Sequence, residues 1–163
     1  MNTALITVPV NYSVSELDLR RDLTLCGHYF IPYAPPPINE SVGNGEHKIS
    51  FKIWWGDKAQ TFEQIMSFIK GTGCRHSTQV EMRSLAQELL GGLRHNGTCS
   101  PGYFSPFQCF GTVWTLPSEP SSAIPLLMNP CFTLHSLAVE WDLPVAEGLF
   151  PSSWNYVGVV QIG

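Results

Sequence analysis

A chain of 163 residues with 13% charged and 12% aromatic side chains has about half the usual charge share of roughly 25%. Disordered chains show the opposite balance. The net charge of −4 excludes a general nucleic-acid binder, which needs a basic face, and no apolar run approaches the roughly 18 residues of a membrane-spanning helix.

At this length one domain is expected, with a core that buries roughly two thirds of the unfolded surface. Folding then needs no metal, disulfide or cofactor. The 14 glycines and 13 prolines point to a loop-rich, β-containing body. Five cysteines are an odd number, and the first residues lack the basic start and long apolar stretch of a secretory signal. Reduced thiols and a cytoplasmic location are therefore expected.

Residues 4–10 alternate, with Ile6, Val8 and Val10 on one face. Pro9 cannot donate to a ladder, which places this strand at an edge or at a bulge. Residues 11–22 are polar and fit a helical turn from Ser15. Residues 23–33 favour a strand broken near Gly27 and Pro32, and residues 24–33 are expected to pair with 48–55 through a long loop. Pro35-Pro36-Pro37 is an extended connector, and Asn44-Gly45 signals a tight turn.

Residues 47–55 alternate cleanly, with Ile49, Phe51, Ile53 and Trp55 on the apolar face. By parity Trp54 falls on the polar face with Lys48, Ser50 and Lys52, so it is expected to be exposed. Thr61 and Gln64 have capping-box spacing, and Phe62, Ile65, Met66 and Ile69 form a helical stripe ended by Gly71. Thr78 and Glu81 repeat the box before Met82, Leu85, Ala86, Leu89 and Leu93. The short link between 61–70 and 78–93 predicts an αα-hairpin packed on one face of the sheet.

Beyond residue 94, Phe107–Leu116 reads as a strand with Gly111 marking a bulge or close approach. Residues 117–130 read as a Pro/Ser loop, 131–142 as a strand covered on both faces, and 154–162 as the last strand. The fold class is α+β: one domain spanning residues 1–163, with a mostly antiparallel or mixed sheet of about five or six strands.

Candidate chemistry is sparse. Cys74, His76, His95 and Cys99 are zinc-compatible types. They flank a helix about 22 Å long, however, whose two ends cannot share one ion unless it breaks at Gly91-Gly92. Cys74 lies upstream of a helix N-terminus, where the dipole favours a thiolate. His76, His95 or His135 would be its base and Glu140 or Asp142 the orienter in a cysteine-dependent hydrolase or transferase. Gly71-Thr72-Gly73 lacks the Lys-Ser/Thr ending of a phosphate loop. The helix pair lacks a basic outer face for DNA.

The aromatic side chains are the remaining signal. Trp54 and the loop Tyr103-Phe104-Ser105-Pro106-Phe107 have the composition of a binding surface. The leading expectation is a small non-enzymatic protein-binding factor of inhibitor or immunity type, with Trp54, Tyr103, Phe104 and Phe107 in contact with another protein. A viral or particle structural subunit, assembled as a homo-oligomer, is the alternative of a different class.

Overall fold

The computed structural model of this chain describes residues 3–24, 36–39, 43–55, 60–90, 107–108, 110–115, 122–128, 131–136, 149–150 and 155–161. Among these residues, three helices pack on a largely antiparallel sheet, an α+β arrangement.

The first strand, β1 (Thr3–Asn11), pairs antiparallel with β3 (Glu46–Trp55) from Thr3↔Trp54 to Asn11↔Glu46. Gly45, at φ 73°, ends this ladder by accepting the Tyr12 N–H at 2.8 Å. Between the two strands lie α1 (Glu16–Thr24) and the short β2 (Ile38–Asn39). Leu23 and Thr24 thus finish a helix rather than opening a strand, and residues 25–35 lie outside the described residues.

The last strand, β11 (Asn155–Val160), sits in the sheet interior. One edge pairs with β3. The other is shared by β5 (Cys74–His76), antiparallel, and β6 (Phe107–Gln108), parallel. β6 and β7 (Thr112–Thr115) are two pieces of one broken strand. Both pair with β8 (Ser122–Met128), whose other edge carries β9 (Cys131–Ser136). Six of these strands, β1, β3, β7, β8, β9 and β11, are four residues or longer. A separate two-residue pairing joins β4 (Gln60–Thr61) to β10 (Leu149–Phe150).

The break between β6 and β7 is the close approach expected at Gly111. Its N–H donates to Ser77 O at 2.8 Å. A Cβ there would lie 2.8 Å from Ser77 O and 2.9 Å from His76 O, so only glycine fits. The same break explains why residues 122–128 form a strand where a Pro/Ser loop is expected. Pro125 sits opposite the gap between β6 and β7, where a missing N–H is tolerated.

Both capping boxes form. Thr61 opens α2 (Phe62–Gly71), exchanging side-chain bonds with the Gln64 backbone and side chain. Thr78 opens α3 (Gln79–Leu90) with Glu81 in the reciprocal role. The left-handed residue after α2 is Gly73, at φ 77°, not Gly71, because the helix continues through Gly71 and is capped at Thr72.

The expected αα-hairpin is not seen. One apolar cluster joins Val8, Val10, Phe51, Val157 and Val159 of the sheet to Leu19 and Leu23 of α1 and Met82, Leu85 and Ala86 of α3. The other joins Trp54 and Tyr156 of the sheet to Ile65 and Ile69 of α2. Residues of opposite parity on β3 and β11 feed the two clusters, so α2 and α3 cover opposite faces. Strand β5 carries the chain from one face to the other. The helical neighbour of α3 is α1, tied to it by the Arg83–Asp22 ion pair and by Gln79 Nε2 donating to Leu19 O at 3.1 Å.

Candidate functional site

Strand β5 positions the residues with chemistry. Its three side chains alternate: Cys74 and His76 face α2, and Arg75 faces α3. Register supports this, since Cys74, Arg75 and His76 oppose Val160, Val159 and Gly158. Gly158 makes room for Cys74, whose Cβ would lie 2.8 Å from a Cβ added there.

On the α3 side Arg75 enters a buried network. Glu81 is fully buried and takes the Arg75 guanidinium on both carboxylate oxygens. It also accepts the Tyr12 hydroxyl at 2.6 Å and the Thr78 N–H at 2.8 Å. Burial, then the hydrogen bond and charge of Glu81, push the Tyr12 phenol well above its ordinary value, so it stays a donor. Burial opposes the Arg75 charge, but its bonds to Glu81 prevail and raise its value. Gln79, also buried, receives the Trp114 indole N–H at 3.0 Å and bonds Thr112 Oγ1 through its own N–H. These groups are engaged with one another and hold α3 to the sheet.

On the α2 side the polar groups are less well served. His76 and Gln108 are both fully buried. Among the described residues, neither ring nitrogen of His76 and neither amide atom of Gln108 has a hydrogen-bond partner. Register puts them on one face, opposite Gly158 and Tyr156 along the same edge of β11. The Phe110 ring stands edge-on to His76 at 6.2 Å. Burial, and then the charge of Lys70, lower the His76 value from 6.5 to about 4, so the imidazole is neutral near pH 7.

Cys74 borders a cleft of about 280 Å³ lined by Lys70, Gly73, Cys74, Arg75 and Gln161. The thiol itself is buried. The helix end next to it in the chain is the carboxyl end of α2, whose partial charge is negative. That is opposite in sign to the α3 N-terminus expected from the sequence, which starts on the other face. No hydrogen bond joins Cys74 to His76, and no cluster of three metal-ligating side chains occurs among the described residues. His135 lies on β9 opposite Ile124, with its side chain outside the described residues. His95, Cys99, Glu140 and Asp142 also lie outside them.

Two of the expected aromatic contact residues, Trp54 and Phe107, are buried. Trp54 is only 2% exposed. Parity puts it on the face away from Phe51, as expected, but α2 covers that face. Its ring meets Phe68 edge-on at 5.4 Å and lies under the Lys52 ammonium. Phe107 is buried in the other cluster, with Trp114, Leu127 and Phe132. Tyr103 and Phe104 lie outside the described residues. Among the described residues, the exposed large apolar side chains are Leu5 (67%), Leu17 (64%), Trp55 (43%) and Leu89 (40%).

Leu5 belongs to a built feature. β1 ends the strand order among the described residues, as Pro9 foretells. Opposed residues of an antiparallel pair alternate between exchanging both backbone bonds and exchanging none. Tyr12 N–H bonds Gly45 O, which fixes the phase: Ala4, Ile6, Val8 and Val10 bond toward β3. Thr3, Leu5, Thr7, Pro9 and Asn11 therefore point their backbone groups outward. The side chains of these five residues are all exposed, and by register they share the sheet face of Ser50, Lys52 and Trp54. Pro9 thus occupies an outward position and loses no bond to β3.

Compared with protein-family models, curated proteins and solved structures, the chain matches none.

Proposed function

We propose that this chain is a non-enzymatic protein-binding factor, folded as a single α+β domain, whose contact surface is the outer edge of β1. The observation that carries this reading is the strip Thr3–Thr7, where outward backbone donors and acceptors coincide with a 67%-exposed leucine. An open, long edge strand is a template for another strand, and proteins that do not use such an edge blunt it with charge or cover it. This edge carries no charged residue between Thr3 and Asn11; only Pro9 interrupts it. Strand addition supplies affinity through main-chain bonds and specificity through alternate side chains. A photo-crosslinking residue at Leu5, used in the native host, should give covalent adducts that Thr7→Pro abolishes. Absence of any adduct from Leu5 would remove this reading.

A further inference from the structure

We infer that the strand received by the β1 edge is β1 of a second copy of this chain, paired antiparallel about a two-fold axis at Leu5. This deepens the preceding reading and rests on it.

The strip is symmetric about Leu5. An antiparallel two-fold at Leu5 opposes Leu5 with Leu5 of the second copy, and Thr3 with Thr7. The sequence Thr3-Ala4-Leu5-Ile6-Thr7 is chemically palindromic about that point. Its three outward residues alternate threonine, leucine, threonine, so a second copy meets like with like at every position. Each opposed pair exchanges two backbone bonds. The next outward residue is Pro9, which has no N–H, so the ladder stops there. Threonine pairs and an aliphatic pair directly opposite one another stabilise such a ladder.

Electrostatics permit the pairing. No charge lies on the strip itself. The closest basic side chain opposed to it, Lys52, pairs with Leu5 from β3. In the paired assembly the two copies of Lys52 are three strand spacings apart, about 14 Å, beyond the Debye length of about 8 Å at physiological salt. On the same face the Thr7 and Ser50 hydroxyls share one hydrogen bond at 2.8 Å, which turns the Thr7 hydroxyl toward β3.

Sedimentation of the purified chain tests this. The mass should rise from 18.1 kDa toward twice that value as concentration increases. Thr7→Pro removes one outward N–H from each copy, so the midpoint should move up by about tenfold or more. It leaves the β3 ladder intact, as Pro9 already does. Leu5→Cys should cross-link to itself under mild oxidation, since opposed Cα atoms about 5.5 Å apart suit a disulfide. Thr3→Cys should cross-link only when mixed with Thr7→Cys. A mass that stays at the monomer value up to about 1 mM, or a dimer indifferent to Thr7→Pro and not cross-linked through Leu5→Cys, overturns the inference. A monomer that still gives Leu5 adducts to another protein in the host overturns the two-fold pairing alone, whereas absence of both signals removes the edge as a contact surface.

Discussion

Replacing His76 with leucine should flatten the acid sensitivity of this protein. His76 is fully buried, and burial lowers its value from 6.5 to about 4. The unfolded chain therefore binds the proton before the folded one does. Stability is unaffected by this group above about pH 6.5, falls as the pH drops from 6.5 to 4, and is constant again below that. At about 1.4 kcal/mol per pH unit, the interval amounts to roughly 3 kcal/mol. Leucine has no proton to bind and no polar atoms left without partners, so His76→Leu should be at least as stable as the parent at pH 7. Its advantage should then grow by roughly 3 kcal/mol on the way to pH 4. Urea denaturation at a series of pH values measures this, and taking the difference between parent and variant cancels every other titrating group. A difference that stays constant between pH 7 and pH 4 would show that the folded state takes up the proton as readily as the unfolded chain, so that burial does not hold the imidazole neutral.

Two further substitutions test the placement of neighbouring residues. Trp54→Ala should lose about 3–5 kcal/mol, because the ring fills the core under α2. Trp55→Ala should lose no more than about 1 kcal/mol; denaturation midpoints that reverse this order would return Trp54 to the surface. Arg75→Met should cost about 3–5 kcal/mol by leaving the Glu81 carboxylate buried and uncompensated. Adding Glu81→Gln, which keeps the cap while removing the charge, should recover part of that loss, and a single variant of near-parental stability would deny the pair its structural role.

Local rules made much of the fold legible. Both helix starts follow from Thr61/Gln64 and Thr78/Glu81, because a capping box satisfies orphan N–H groups within one turn and needs no distant partner. The edge position of β1 follows from Pro9, and the break in the 107–116 strand from Gly111. The strand at 155–160 follows from its own residues. What failed had a distant cause. Pro125 read as a loop residue because nothing nearby in sequence reveals that it faces a gap between two other strands.

The candidate site shows the same division. Sequence alone singled out Cys74, His76 and Trp54 by residue type and parity, and it assigned Trp54 correctly to the face opposite Phe51. It could not say that the face is covered. Alternation along a strand is a local property of the pleat, so it reports which side a residue takes. Burial depends on what packs there: α2 lies over Trp54, while β5 carries the chain through the sheet so that α3 packs on the other side. The phase of the β1 edge, and with it the outward aim of Thr3, Leu5 and Thr7, likewise came from one long-range bond, Tyr12 to Gly45. Residue identity determined what each side chain can do; the pairing of segments far apart in the chain decided which of them meets solvent.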